Sequence, residues 1–265
     1  MGPLPQMYMQ GRGSHADSPI NPNLKYRPKE PTMPNHTIPL RTQALFDLTH
    51  TLARPWLEHT EYPWEILADI STVIREIGAT LPADRYDHPA EGIWIAKSAT
   101  VAPTAYIGAP AIIGENTEVR HCAFIRGSAL IGDGCVVGNS TELKNCILFD
   151  GVQVPHYNYV GDSVLGYKSH MGAGSITSNV KSDKSLVVVK PAVGYEGDFD
   201  PIPTGRKKFG AMLGDFVEVG CGSVLNPGTV IGSHSNIYPL SSVRGAVPAN
   251  AIFKSGKGSE IVEKE

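Results

Sequence analysis

Arg126 and Lys144 stand at a position where this chain often places glycine. Arg126 follows Ile125 and Lys144 follows Leu143, whereas Gly108, Gly114, Gly132 and Gly138 follow the equivalent aliphatic residues. Arg126 and Lys144 are 18 residues apart. If the chain coils with that period, they stack at the strand spacing of roughly 4.8 Å. Like charges in register repel. Such a pair invites a doubly charged anion, and a phosphate or pyrophosphate fits best. The competing reading sends both side chains into water, with Glu142 as a partner.

His156 lies two residues after Val154 and so points outward from a strand, beside Tyr157, Asn158 and Tyr159. An imidazole is suited to removing a proton near neutral pH, although an isolated outward histidine is equally a solvated surface residue. The run Met171-Gly-Ala-Gly-Ser offers small residues over which backbone groups approach a ligand closely. His121 and His170 read as surface residues. A three-histidine metal site is not supported, because His121 and His156 share a column two coils apart and no pair has the close spacing that one ion needs. No metal is expected.

The element that positions these residues is a repeat. From Ile95 in steps of six come Val101, Ile107, Ile113, Val119, Ile125, Ile131, Val137 and Leu143. Four residues after these positions stand Ala99, Ala105, Ala111, Thr117, Ala123, Ala129, Cys135, Thr141 and Ile147, eight of the nine being small. A five-residue step leads to Leu148, then come Val154 and Val160, a second short step to Leu165, and Met171. The period returns at Leu213, Val219, Leu225, Ile231, Ile237 and Val243. Each hexapeptide reads as a short strand and a corner, with both the aliphatic and the small residue pointing inward. Three sides close a coil of about 18 residues, and stacked coils pair through backbone hydrogen bonds. The expected fold is all-β, a parallel β-helix over 91–250, interrupted by a basic loop at about 180–208 that is thrown out from the solenoid.

Outside the repeat, residues 1–40 are rich in proline and polar residues and read as an extended or disordered arm. Leu45, Leu48, Leu52 and Trp56, then Leu67, Ile70, Ile74 and Ile77, fall at helical spacing. A helical hairpin is expected over 41–90, covering the first coil or a neighbouring subunit. The chain is expected to leave the solenoid after Gly245, with a tail over 251–265. The net charge of −3 shows no nucleic-acid footprint, and no apolar run is long enough to cross a bilayer. Met1 to His15 lack a signal-peptide pattern, so a cytoplasmic location is expected. The four cysteines form no CxxC pair and read as reduced packing residues.

From Arg126 to Asn179 the chain resembles the acetyltransferase half of the bifunctional enzyme that makes UDP-N-acetylglucosamine. It is also similar to the C-terminal domains of sugar-1-phosphate nucleotidylyltransferases. The likeness runs through GNSTELKNC, PHYNYVGDS and MGAGSITSN, and its specific part is the HxxYxGD element followed by the GAGSITSN stretch. The long insertion with TGRKKFGAMLGD resembles the nucleotidylyltransferase-linked branch. The first 90 residues carry no Gly-rich nucleotide loop.

The resemblance implies a left-handed winding and an acetyl-CoA-dependent N-acetyltransferase acting on an amino-sugar phosphate. It implies His156 as general base, with Arg126, Lys144 and Tyr159 holding the sugar phosphate. Asn179 matches an acceptor-site residue and Lys184 a following lysine. Ala173 and Cys221 fall where the thioester and the pantetheine arm lie, the family commonly having serine at the latter. His170 replaces a frequent asparagine. A homotrimer with sites between subunits is implied. Two other readings are a non-catalytic regulatory solenoid and an O-acetyltransferase acting on a sugar or serine.

Overall fold

The computed structural model describes residues 38–195, 197–255 and 259–263. The expected arm over 1–40 lies almost wholly outside the described residues. The remainder is a left-handed parallel β-helix flanked by short helices.

Three stacked faces build the solenoid. The first face stacks Ile93–Ala96, Ala111–Ile113, Ala129–Ile131, the second half of Glu142–Leu148, the second half of Tyr159–Leu165, Ala211–Leu213, Thr229–Ile231 and Ala246–Val247. The second runs from Thr100–Val101 through Glu118–Val119, Val136–Asn139, Gln153–His156, His170–Met171, Glu218–Val219 and Asn236–Ile237 to Ala251–Ser255. The third stacks Tyr106–Ile107, Phe124–Ile125, the first halves of Glu142–Leu148 and Tyr159–Leu165, Ile176–Thr177, Val224–Leu225 and Ser242–Val243.

Alternation along each strand fills the bore with the aliphatic series, and Ile113, Ile125, Ile131, Val137, Leu143 and Leu165 are fully buried. On the first face the outward residues are apolar as well. Ile112, Leu130, Ile147, Val164, Met212 and Val230 form a row that is as buried as the bore. A strand apolar on both sides needs a second covering layer.

The N-terminal segment supplies that layer. It consists of α1 (Thr42–Leu45), a 3₁₀ turn Leu48–His50, α2 (Arg54–Leu57), a 3₁₀ turn Pro63–Ala68 and α3 (Ile70–Gly78). Ile70, Val73, Ile74 and Ile77 of α3 are buried and pack along first-face strands of several coils. The segment therefore lies along the side of the solenoid, where the apolar row runs, and not over the first coil. It also forms several short turns in place of a two-helix hairpin. Pro55 and Pro63 each sit in a first turn and set a new start.

Two further expectations differ from the structure. The insertion folds back, because Val187, Val189 and Ala192 need burial. Val188–Val189 pairs antiparallel with Ile202–Pro203, and Pro191 bridges Ala246 on the first face. The parallel stack also runs beyond Gly245. Ala246–Val247 and Ala251–Ser255 stay in register because Val247 and Phe253 still fill the bore, and Ser259–Glu263 then turns back antiparallel. Among the described residues, no helix is long and apolar enough to cross a membrane.

Candidate functional site

The two five-residue steps of the repeat fall at one corner, one above the other. There the third face runs into the first without a break, so that Glu142–Leu148 and Tyr159–Leu165 are continuous seven-residue strands. Asn145 and Asp162 turn this corner at φ of 51° and 50°. Both are left-handed conformations that asparagine and aspartate tolerate better than most residues.

Asp162 is the hub of this corner. Its side chain is 5% exposed. It accepts hydrogen bonds from Lys144 Nζ on both oxygens, at 3.1 and 3.3 Å, and from Asn145 Nδ2 at 2.9 Å. Asn179 Nδ2 donates to the second oxygen and also to the Tyr159 hydroxyl, the latter at 3.2 Å. Tyr159 is half-buried, and burial raises its phenol above the ordinary tyrosine value. Arg126 and Lys144 follow the paired residues Ile125 and Leu143, as the 18-residue spacing predicts. They are not a bare pair of cations, however. Arg126 Nη1 donates to Glu142 Oε1 at 2.8 Å, while Lys144 is held by Asp162.

A second group stands at the corner between the second and third faces. His156 ends the strand Gln153–His156 and is exposed. Buried Asn158 locks the turn after it. Its Oδ1 accepts the His156 amide at 3.1 Å and its Nδ2 donates to the carbonyls of Gly172 and Ser175. The His156 ring makes no hydrogen bond to the described residues. Gly174 N–H donates to the His156 carbonyl at 3.0 Å and Gly222 N–H to the Ala173 carbonyl at 2.9 Å. His156, Ala173 and Cys221 therefore follow one another on successive coils of one column. The Ala173 amide is left without a hydrogen bond among the described residues. Tyr159, three residues after His156, links this column to the Asp162 corner.

The remaining candidates lie elsewhere. Lys184 sits on an exposed turn, and its side chain has no hydrogen bond or ion pair to the described residues. His170 faces outward on the second face and its Nδ1 meets Glu218 Oε2 at 2.8 Å. His121 Nδ1 meets the Thr104 hydroxyl at 2.9 Å. Sequence reasoning missed Asp162 and Asn145 as site residues, although the stacked short steps mark both. It also missed Arg206, whose Nη2 donates to the Glu65 carbonyl oxygen across the fold.

Residues 118–237 match the profile of the GMPPB C-terminal domain. A bifunctional sugar-1-phosphate nucleotidylyltransferase/acetyltransferase of Sulfurisphaera tokodaii is 34% identical over 108 residues, covering 41% of this chain and 25% of the relative. A bifunctional protein GlmU of Methanococcus maripaludis is 33% identical over 135 residues, covering 51% of this chain and 27% of the relative. The chain spans about a quarter of the length of these curated relatives. The solved structure of a hexapeptide transferase family protein from Anaplasma phagocytophilum superposes with a TM-score of 0.35 at 14% identity, over 66% of this chain and 81% of that one. Across residues 118–237 the chain resembles the hexapeptide-repeat acetyltransferases linked to sugar-1-phosphate nucleotidylyltransferases.

Proposed function

We propose that this protein transfers an acetyl group from acetyl-CoA to the amino group of a phosphorylated amino sugar, glucosamine-1-phosphate being the type case. The observation that carries the reading is the column His156, Ala173, Cys221 standing beside the corner of Arg126, Lys144, Tyr159 and Asn179. The likeness to relatives named as nucleotidylyltransferase/acetyltransferases supports it.

In this mechanism the acceptor arrives as an ammonium ion, and His156 takes one of its protons. The freed amine attacks the thioester carbonyl. The carbon–nitrogen bond forms and the carbon–sulfur bond breaks; the departing thiolate takes a proton back from His156, and the nitrogen gives its second proton to water as the amide forms. The thioester is already activated, so no acyl-enzyme is required. The unpaired Ala173 amide is placed to donate to the tetrahedral oxyanion. Cys221, one coil further on, lines the path of the pantetheine arm. Arg126 and Lys144 orient the phosphate and with it the amine. Lys184 is assigned to the acceptor side. The assembly is a homotrimer with the sites between subunits.

The pairing of both cations with carboxylates favours one alternative, a solenoid that regulates without catalysis. Measuring thiol release from acetyl-CoA against a panel of acceptors separates the readings. Release with glucosamine-1-phosphate, and little with glucosamine or hydroxyl acceptors, is expected. Release with hydroxyl acceptors alone moves the assignment to O-acetylation. No release, together with no rise in melting temperature on adding acetyl-CoA, leaves the regulatory solenoid.

A further inference from the structure

The charges at the Asp162 corner cancel in pairs. Arg126 meets Glu142 and Lys144 meets Asp162, so these four groups offer no net charge to an incoming anion. A phosphate monoester brings about 1.5 to 2 negative charges at neutral pH.

Arg206 supplies the missing charge. It lies on the returning limb of the insertion, outside the repeat. Phe209 N–H donates to the Asn179 carbonyl at 2.9 Å and Gly210 N–H to the Asp162 carbonyl at 2.8 Å, so this limb runs beside both residues. The turn Pro63–Ala68 fixes the guanidinium from the other side. Its Glu65 carbonyl accepts from Arg206, and its Leu67 carbonyl accepts from Asn145 at 3.0 Å. Arg206 and the Asp162 corner thus hang from carbonyls two residues apart on one turn. Trp64 of that turn packs against Phe209, with ring centroids 5.5 Å apart. The guanidinium is half-buried, and it has no carboxylate within ion-pairing distance among the described residues. One carbonyl occupies one of its five N–H groups, and the rest of the fork is available to an oxyanion.

We infer that Arg206, held by the turn Pro63–Ala68, is an anion-binding residue of the acceptor site and takes the phosphate of the phosphorylated amino sugar. The inference rests on the acceptor reading proposed above and adds to it an element from outside the repeat.

The test is calorimetric titration of the full chain with glucosamine-1-phosphate, glucosamine and inorganic phosphate. Wild type is compared with Arg206→Gln, Arg206→Lys and the neighbouring exposed control Lys207→Gln. Arg206→Gln is expected to weaken glucosamine-1-phosphate and phosphate by about 10- to 100-fold, the usual effect of removing a charged hydrogen-bonding partner. Arg206→Lys keeps the charge and the stem and gives a smaller loss, because lysine cannot form the paired contact. Glucosamine affinity stays within about twofold and Lys207→Gln within about threefold, as surface charges contribute little.

Affinity for the sugar phosphate that is unchanged in both Arg206 variants overturns the inference. So does an equal loss in Lys207→Gln, which indicates diffuse charge, or an equal loss of glucosamine binding, which indicates a disturbed fold. The two readings fail separately. Turnover that is indifferent to Arg206 removes this inference and keeps the transfer reaction. Phosphate binding through Arg206 without thiol release does the reverse.

Discussion

The second and third faces of the solenoid carry the same repeat and comparable charged side chains, yet they hold their ion pairs differently. On the second face Glu118 meets Arg120 at 2.9 Å and His170 meets Glu218 at 2.8 Å, all at the exposed surface. Where the third face runs into the first, Lys144 meets a carboxylate that is nearly removed from water. The repeat does not make that difference. The turn Pro63–Ala68 and the return limb of the insertion do, by bringing Leu67, Phe209 and Gly210 against the Asp162 corner. A coil alone presents charges to solvent, and elements added from elsewhere in the chain shield one corner from it.

Substitutions at the two kinds of pair sharpen this contrast. Asp162→Asn is expected to have the largest effect on stability. It removes the charge opposite Lys144 and sets an amide donor against the donors of Asn145 and Asn179. Breaking a buried pair of this kind costs on the order of 3 kcal/mol, with some relief because Lys144 is partly exposed. A urea midpoint shift should report it, and a loss below about 1 kcal/mol would place Asp162 with the surface pairs.

Asp215 should show an intermediate, pH-dependent effect. Its oxygens accept the amides of Asp47 and Tyr167 at 2.6 and 2.7 Å and so attach the N-terminal segment to the solenoid. Burial nonetheless raises its carboxyl above the ordinary 3.8, the two amide hydrogen bonds opposing only in part. A carboxyl with a raised native pKa binds its proton more tightly in the folded state. Its contribution is therefore fully present below the unfolded value and is lost as pH rises through the native one. Wild type should gain stability relative to Asp215→Asn as pH falls from neutral towards 3.8, in urea titrations at several pH values. A difference that is flat or reversed with pH contradicts this reading.

Glu218→Gln on the second face should give the smallest effect, less than about 1 kcal/mol, because exposed pairs contribute little. A larger loss would mean that the second face also depends on its charges.

Much of this was legible in the sequence. The bore follows from a six-residue period, since each inward residue is set by alternation. The register of Arg126 over Lys144 follows from the same period. The apolar outer row of the first face, Ile112, Leu130, Ile147 and Val164, is written there too, and it required the covering layer that the helices provide. The partners of the site were not legible. Arg206 reaches the Glu65 carbonyl across 141 residues, and Asn145 reaches that of Leu67 across 78. No periodicity carries such contacts, because they join non-repeating segments whose path is set by packing. The pairing of Arg126 with Glu142 was visible as an alternative, and local packing, which no period encodes, decides whether a side chain turns to its neighbour or to solvent.

The central claim is that the imidazole at the column beside this corner moves the proton of an acetyl transfer. Steady-state kinetics of His156→Ala with acetyl-CoA and glucosamine-1-phosphate test it most directly. Turnover is expected to fall by about 10²- to 10⁴-fold, the usual contribution of a general base, with KM for both substrates changed only a few-fold. Turnover close to that of wild type in a folded His156→Ala variant would contradict the account.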